Sequence, residues 1–397
     1  LLGGEGDDLV TGSLASVGQG IVVGGAGNDT IVFGHLSGHS NTINGNVGED
    51  LIFFSGSISS TRVLGGAASD TIEFASLGLS SSTIQGGGGS DLISGEIGGQ
   101  GSAAYRLIVA GDAEFSLGDF DGNDTIYLHT KATIDALIQG NGGNDQITIL
   151  NYSTAMVVAG NAGNDTISLG GITGAPRGAV NLGAGNDLLS AVLDDRFSDF
   201  SINGGGGDDT ITLTALSSAS DQLSAFFFGG DGADLFELRG EGFAAISGGQ
   251  VSYANAMQSN LGAMDTISAR VGAGGVGSAS TTGYRVFVDY VNVVTAETAD
   301  TQLLSIRGTE AVFTATFALG ATARVSALDT FISAAGSTVY FADGLGTDLI
   351  FVQGGLVGAS DDLVIKNSTQ GITSMLIERR GAGLRGGTLS VGLGLLP

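Results

Sequence analysis

The stretch Gly24-Gly25-Ala26-Gly27-Asn28-Asp29-Thr30-Ile31 decides how the rest of the chain is read, because it returns in looser form along more than half of the sequence. Its aspartate serves as a ruler, with marks at Asp8, Asp29, Asp50, Asp70, Asp91, Asp124, Asp145, Asp165, Asp187, Asp209 and Asp234. Successive gaps are 21, 21, 20, 21, 33, 21, 20, 22, 22 and 25 residues. A sustained period of this length is the mark of a solenoid, in which each repeat supplies one coil and buries its apolar face only against its neighbours.

The residues around each mark alternate as strands do. Two positions after the aspartate stand Val10, Ile31, Ile52, Ile72, Ile93, Ile126, Ile147, Ile167, Leu189, Ile211 and Phe236, apolar in every copy. Four positions after it the choice repeats, from Phe33, Phe54 and Phe74 to Leu213 and Leu238, with small exceptions such as Gly95 and Ala191. Seven positions before the mark, Val22, Ile43, Val63, Ile84, Ile138, Val158, Val180, Ile202 and Phe227 define a second inward position. A period of two puts one face of each strand in the core, so each coil reads as strand, Gly-Asp turn, strand and a looser return such as residues 34–40. Between the inward positions, Thr30, Thr71, Thr125, Thr166 and Thr210 suit an outer face, while Leu51, Leu92, Leu188 and Leu235 are apolar there and mark a covered flank or lateral seam.

The fold expected is therefore all-β: a parallel β-helix or β-roll-like solenoid over residues 1–240, followed by an irregular β-rich capping or assembly region over 241–397. The gap of 33 places an insertion near 95–118. Within it Tyr105-Arg106-Leu107-Ile108-Val109-Ala110 reads as a strand followed by Gly111-Asp112, either a degenerate coil or an excursion from the stack.

Composition agrees. Of 397 residues 71 are glycine and 2 are proline, so neither a collagen repeat nor a Pro-rich linker accounts for the glycine, and 42% hydrophobic residues fill a core. Forty Asp and Glu against fourteen Lys and Arg give a formal net charge of -26, which excludes a nucleic-acid partner. Cysteine is absent and there are three histidines, which argues against disulfides and zinc. His35 and His39 lie in a Gly/Ser loop and read as exposed. No apolar run reaches the length of a membrane helix. The first residues look like the middle of a repeat, which suits a mature product or a fragment.

Glycines at successive turn positions permit positive φ and let the backbone approach a ligand, and the aspartate adds a hard oxygen. Calcium accepts six to eight such oxygens in a forgiving geometry. Carboxylates stacked ~4.8 Å apart repel by roughly 1 kcal/mol per pair in water and more near a low-dielectric surface, and bound cations remove that cost. The rival reading is a row of aspartates that cap backbone N–H groups, but asparagine does that without repulsion, and it occurs one place earlier, at Asn28, Asn123, Asn144, Asn164 and Asn186. Multiple calcium ions are therefore expected, with Asp8, Asp29, Asp50, Asp91, Asp124, Asp145, Asp165, Asp187, Asp209 and Asp234 as metal ligands. Asp70 is set aside because Gly66-Ala67-Ala68-Ser69 has lost a glycine.

These residues resemble the RTX, or haemolysin-type, calcium-binding repeats, whose nonapeptide is Gly-Gly-x-Gly-x-Asp-x-hydrophobic-x. Residues 24–32, 86–94 and 204–212 carry the resemblance, which covers about residues 1–240. It implies calcium bound in six-residue turns of a parallel β-roll, and export through an uncleaved C-terminal signal. The family pairs two nonapeptides in an 18-residue coil, whereas a single such turn recurs here every 20 to 22 residues. One calcium row and a wider second edge follow, in either a β-roll variant or a three-sided helix.

Beyond Asp234 the ruler fades, with worn echoes at 261–267 and 344–350. Residues 284–290, 361–366 and 372–379 read as strands, and 303–335 fits short strands or a helix. Arg379, Arg380 and Arg385 form the one basic cluster, read as a solvated edge. Long β-helices also carry polysaccharide-active enzymes, and Asp194, Asp195, Arg196 and Asp199 cluster in one return loop, but a solvated loop is the simpler reading.

No enzyme, cofactor-binding or catalytic site is expected. The leading expectation is a calcium-stabilised structural protein, extracellular or on a cell surface, such as an S-layer, adhesin, fibre or capsid-decorating component, with a virion surface as the second location. Self-association or a larger assembly is the expected partner relation, glycan contact a further candidate, and membrane insertion is not expected. The alternative is the RTX-like repeat region of a secreted enzyme acting on polysaccharide.

Overall fold

β-Branched and aromatic residues at every second position favour extended backbone, and glycine pairs at regular intervals turn it, so the described residues are almost entirely strand and turn. The computed structural model describes residues 1–15, 20–37, 41–58, 60–77, 82–97, 106–112, 122–130, 135–151, 156–172, 178–193, 200–215, 225–239, 249–253, 264, 266–270, 284–288, 294–296, 299–301, 303–307, 310–314, 316–335, 337–354, 362–367, 374–378 and 388–392. Two compact units are present, Leu1–Leu193 and Asp194–Pro397.

The first unit is a parallel β-solenoid of two sheets. Strands that enter the Gly-Asp turn, from Leu2–Glu5 through Ile21–Ala26, Asn41–Val47 and onward to Ala179–Ala184, pair in parallel with their neighbours one coil away. Strands that leave it, from Leu9–Ala15 through Thr30–Ser37 and Leu51–Ile58 to Leu188–Leu193, form the second parallel sheet. Register places like on like: Ile31 beside Ile52, Ile52 beside Ile72, and Phe33 beside Phe54. The resulting ladders are fully buried, as are Val22, Ile43, Val63, Ile84, Ile138 and Val158 opposite them. Gly12 and Gly95, the small members of the Phe ladder, make room for it: a Cβ on Gly12 would lie 2.9 Å from the Phe33 ring, and one on Gly95 would collide with Phe74.

The long gap between Asp91 and Asp124 does not remove a rung from the stack. Arg106–Asp112 pairs in register with Thr83–Gly88 on one side and Asp135–Gly142 on the other, with Val109 beside both Ile84 and Ile138. It is an ordinary coil strand rather than an excursion. The extra residues are divided around it: Val109 follows Ile84 by 25 residues, and Asp124 follows Val109 by 15 where other coils need seven. Eight of the extra residues therefore enter within the Gly-Asp turn itself.

In the second unit, Phe200–Gly206, Ala225–Asp231, Gly249–Tyr253 and Tyr284–Val288 continue the same parallel pattern, and Thr210–Ala215, Leu235–Arg239 and Thr266–Arg270 form its companion sheet. Tyr284–Val288 next pairs with Ser374–Glu378, which turns back antiparallel against Thr388–Gly392. That antiparallel strand ends the run of parallel pairings, as expected of a terminal cap.

Between these strands lies a mixed module. It contains Leu304–Arg307, Glu310–Phe313, the helix Ala321–Phe331 and the strands Ser337–Ala342, Asp348–Val352 and Leu363–Asn367, around a core of Leu304, Ile306, Leu328, Val339, Phe341 and Phe351. Both alternatives for 303–335 are thus present, strands first and helix after. The echo at 344–350 is not a coil turn. Ser337–Ala342 and Asp348–Val352 are antiparallel, and the turn is held by Asp343, whose Oδ1 accepts the Leu345 and Thr347 N–H groups at 2.7 and 2.9 Å. Burial pushes the Asp343 carboxyl up, but those N–H groups and nearby Arg324 outweigh it and hold it below its ordinary value. A Gly-x-Gly-x-Asp string thus makes a hairpin where the strands on its two sides pair antiparallel with each other.

Candidate metal centre

Each Gly-Asp turn has four backbone N–H groups to satisfy, and the structure accounts for them coil by coil. With the quoted octapeptide as reference, the N–H of the fourth residue donates to the third carbonyl of the next coil, as Gly6 does to Ala26 at 2.7 Å and Gly27 to Val47 at 2.9 Å. The residue after the aspartate donates back to the aspartate carbonyl of the preceding coil, as Thr30 does to Asp8 at 2.8 Å. The other two are satisfied by side chains, and these build the site.

The aspartates form an internal ladder. The N–H of Asp8 donates to Asp29 Oδ1 at 2.8 Å, Asp29 to Asp50 at 2.7 Å, Asp50 to Asp70 at 2.7 Å and Asp70 to Asp91 at 2.7 Å. The chain of bonds continues through Asp124, Asp145 and Asp165 to Asp187, crossing the 33-residue gap without a break. In the second unit Asp209 donates to Asp234 Oδ1 at 2.9 Å. From Asp29 onward every member is at most 3% exposed. Asp70 occupies a rung like the others despite its lost glycine: Ala68 takes that turn position with φ 84°, where the other turns have glycines such as Gly27 at 124° and Gly48 at 128°.

One carboxylate oxygen is used in this way and the other is not. Oδ2 of Asp8, Asp29, Asp50, Asp70, Asp91, Asp145 and Asp165 is buried without a hydrogen-bond partner. It turns inward over the first glycine of its own turn. A Cβ on Gly3 would stand 2.6 Å from Asp8 Oδ2, and one on Gly45 or Gly65 would collide with both the Oδ2 of that coil and the carbonyl oxygen one coil along. The space a side chain would fill is lined by a carboxylate oxygen and a backbone carbonyl. Across the interrupted coil Gly111 supplies the same space to Asp124, thirteen residues ahead. At Asp187 the corresponding residue is Leu182, itself fully buried.

Burial pushes up the carboxyls of Asp50, Asp70, Asp91, Asp145, Asp165, Asp187 and Asp234. Loss of water is the largest cause; the accepted N–H bond pulls down, and neighbouring carboxylates push up again. The values reach about 6 for Asp50, Asp165 and Asp234, about 7 for Asp70 and Asp91, and about 8 for Asp145, and Asp187 is raised as well. Negative charge on such a ladder needs either a proton or a cation. Hard oxygens in close array, with no thiolate and no imidazole, fit calcium. No group of three or more acidic or histidine side chains converges among the described residues, so one carboxylate per coil must be completed by backbone carbonyls. When bound, calcium supplies the positive charge that lets the carboxylates remain ionised while buried.

A second ladder runs outside the first, and reading by spacing missed it. Asn144 N–H donates to Asn123 Oδ1, Asn164 to Asn144 and Asn186 to Asn164, each at 2.6 Å. Asp7, Asn28, Ser69 and Ser90 play the same part in earlier coils and Asp208 in the second unit. The bonds point to the preceding coil, whereas those of the aspartates point to the following one. The signal was the Asn, Asp or Ser one place before nine of the eleven marks, with Glu49 and Ala233 as the exceptions. His35 and His39, the Asp194–Asp199 cluster and Arg379, Arg380 and Arg385 lie outside the residues whose side chains are described.

A parallel β-solenoid with a buried carboxylate ladder in its glycine turns defines a calcium-binding repeat protein. The chain carries RTX calcium-binding nonapeptide repeats, matched in four copies at residues 18–34, 78–99, 157–171 and 201–215. Such repeats are structural and typify secreted and cell-surface bacterial proteins, which sets the chain outside the cell or on its surface. No curated protein matches it. Among the described residues no helix is long and apolar enough to cross a membrane.

The turn geometry gives a direct test. Gly45→Ala is expected to cost about 1–3 kcal/mol, as overpacking does, and to weaken calcium binding. Gly34→Ala, whose Cβ would have Ser55 Oγ at 3.9 Å as its nearest neighbour, should stay within about 0.5 kcal/mol. Thermal melts in saturating calcium separate the two, and equal melting points would contradict the role given to the first glycine.

Proposed function

We propose that the chain is a structural component of a bacterial surface assembly, an S-layer or adhesin-like protein, in which Asp8, Asp29, Asp50, Asp91, Asp124, Asp145, Asp165, Asp187, Asp209 and Asp234, joined by Asp70, hold calcium ions. The supporting observation is the ladder itself: a single kind of site repeated coil after coil, which sets the spacing of a long surface and suits assembly better than a unique pocket does. Residues 1–240 act as the calcium-binding module and 241–397 as its cap.

Static light scattering of the full chain during calcium titration tests this reading. Particle mass is expected to rise with calcium and to return to that of the single chain with chelator. Calcium binding without any growth in mass, up to the highest soluble concentration, would argue against an assembly component and for a solitary module.

A further inference from the structure

The outer face of the second sheet in the first unit carries a pattern that neither the core nor the metal site requires. One place after each aspartate the side chain points outward, and register stacks Leu9, Thr30, Leu51, Thr71, Leu92 and Thr125 in one row. Leucine and threonine alternate through these six rungs, after which the row goes on with Gln146, Thr166 and Leu188. The leucines stand proud, at 70%, 38% and 36% exposed for Leu9, Leu51 and Leu92. The next outward row is Thr11, Val32, Phe53, Glu73, Ser94 and Tyr127. Glu73 is the one charge in either row, on a chain of net charge -26.

Alternating knobs and holes have a symmetry consequence. Let a second copy lie face to face, related by a two-fold axis parallel to the strands and passing midway between the Leu51 and Thr71 rungs. The first rung then meets the sixth, the second the fifth and the third the fourth. Leu9 faces Thr125, Leu92 faces Thr30 and Leu51 faces Thr71, so every leucine enters a threonine gap. In the second row Tyr127 meets Thr11, Val32 meets Ser94 and, beside the axis, Phe53 meets Glu73, which puts the one carboxylate of each copy at the centre of the contact and keeps it weak. A copy running the same way along the stack sets leucine against leucine in register and meets threonine only after sliding by one rung, which leaves an end rung of each copy uncovered.

We infer that this face is a self-complementary docking surface for a second copy of the chain, packed antiparallel with Leu51 against the partner copy's Thr71. The inference deepens the assembly reading above and rests on it. Six rungs about 4.8 Å apart and strands of about six residues at 3.3 Å give a footprint of about 600 Å² per copy, at the lower end of specific interfaces. The association is accordingly weak and concentration-dependent. An isologous contact of this type closes on itself as a dimer.

Sedimentation velocity of the calcium-saturated full chain over a wide concentration range tests the inference. A reversible dimer is expected for the native sequence. Thr71→Leu should weaken it roughly tenfold by setting knob on knob, and so should Leu51→Thr by emptying the gap. The double change Leu51→Thr with Thr71→Leu exchanges knob and hole across the axis and should restore dimerisation to within a few-fold. These side chains are outward, so circular dichroism and calcium binding should be unchanged in all three variants, which excludes misfolding as the cause. Tightening by Thr71→Leu would show a plain hydrophobic patch and overturn the inference, as would a double variant no better than the singles. A calcium-saturated chain that grows in mass while ignoring all three changes would overturn this face but spare the assembly reading. A chain that stays monomeric at every concentration would overturn both.

Discussion

Removing calcium at pH 8 is expected to unfold the stack of coils rather than loosen it. A buried polar atom without a partner costs about 1–3 kcal/mol. Seven such carboxylate oxygens lie in the first unit. Their summed cost is comparable with the whole stability of a domain, about 5–15 kcal/mol. Conversely, each site filled at a hundred times its dissociation constant contributes about 2.7 kcal/mol. Far-UV circular dichroism and hydrodynamic radius, measured in calcium and after chelation, should show loss of β signal and expansion. A compact, β-rich particle in chelator at pH 8 would refute the coupling.

The pH dependence of that experiment follows from the raised carboxyls. Asp70 and Asp91 at about 7 and Asp145 at about 8 lie above the ordinary carboxylate value of 3.8, so the folded chain without metal holds more protons than the unfolded one between about pH 4 and 8. Stability without calcium therefore falls as pH rises through this window, and is greatest at its acid end. Calcium reverses the slope, because ions displace those protons and bind more tightly as pH rises. Titration calorimetry near pH 7 in buffers of different ionisation enthalpy should register proton release on calcium binding, and none should be seen at pH 9.5.

Replacing Asp145 by asparagine is expected to change stability in opposite directions with and without calcium. The amide keeps an oxygen for the Asp124 N–H, now accepted at 2.8 Å, and presents an N–H₂ where Oδ2 lies over Gly140. In chelator at pH 9, with the folded state held by an excluded osmolyte such as trimethylamine N-oxide, Asp145→Asn should stabilise by about 1–3 kcal/mol, since it removes a buried charge. At pH 5 that gain should vanish, because Asp145, with its carboxyl pushed up to about 8, carries its proton there. In saturating calcium the same change should destabilise and lower affinity roughly tenfold, because calcium sites are tuned by their count of charged ligands. For a unit of this size 1 kcal/mol moves the melting point by about 2–4 °C, which differential scanning calorimetry resolves. A purely hydrogen-bonding ladder would give the same sign in both conditions, so equal signs would remove calcium from the account of this rung.

What the residues alone determined is the coil. Apolar residues two and four places after each aspartate, and seven before it, can be buried together only if strands of period two stack at a constant repeat. The ladders Ile31–Ile52–Ile72 and Val22–Ile43–Val63 follow from that spacing. The metal was legible too, because an acid that recurs where asparagine would serve implies a charge that something must balance.

The tertiary structure alone decided which oxygen does what. The N–H group bonded by each aspartate belongs to a residue 20 to 33 places away, so the division between a bonded Oδ1 and a buried Oδ2 depends on the adjoining coil. The outer asparagine ladder has the same origin and the opposite direction. Stacking likewise assigned Val109 to a full rung, because backbone pairing on both sides tolerates extra residues where the loops are free to lengthen. It also turned the Gly-x-Gly-x-Asp string at 344–348 into a hairpin, because its strands found antiparallel partners. The glycine-aspartate pattern specifies a turn; only a parallel neighbour one coil away makes that turn a site.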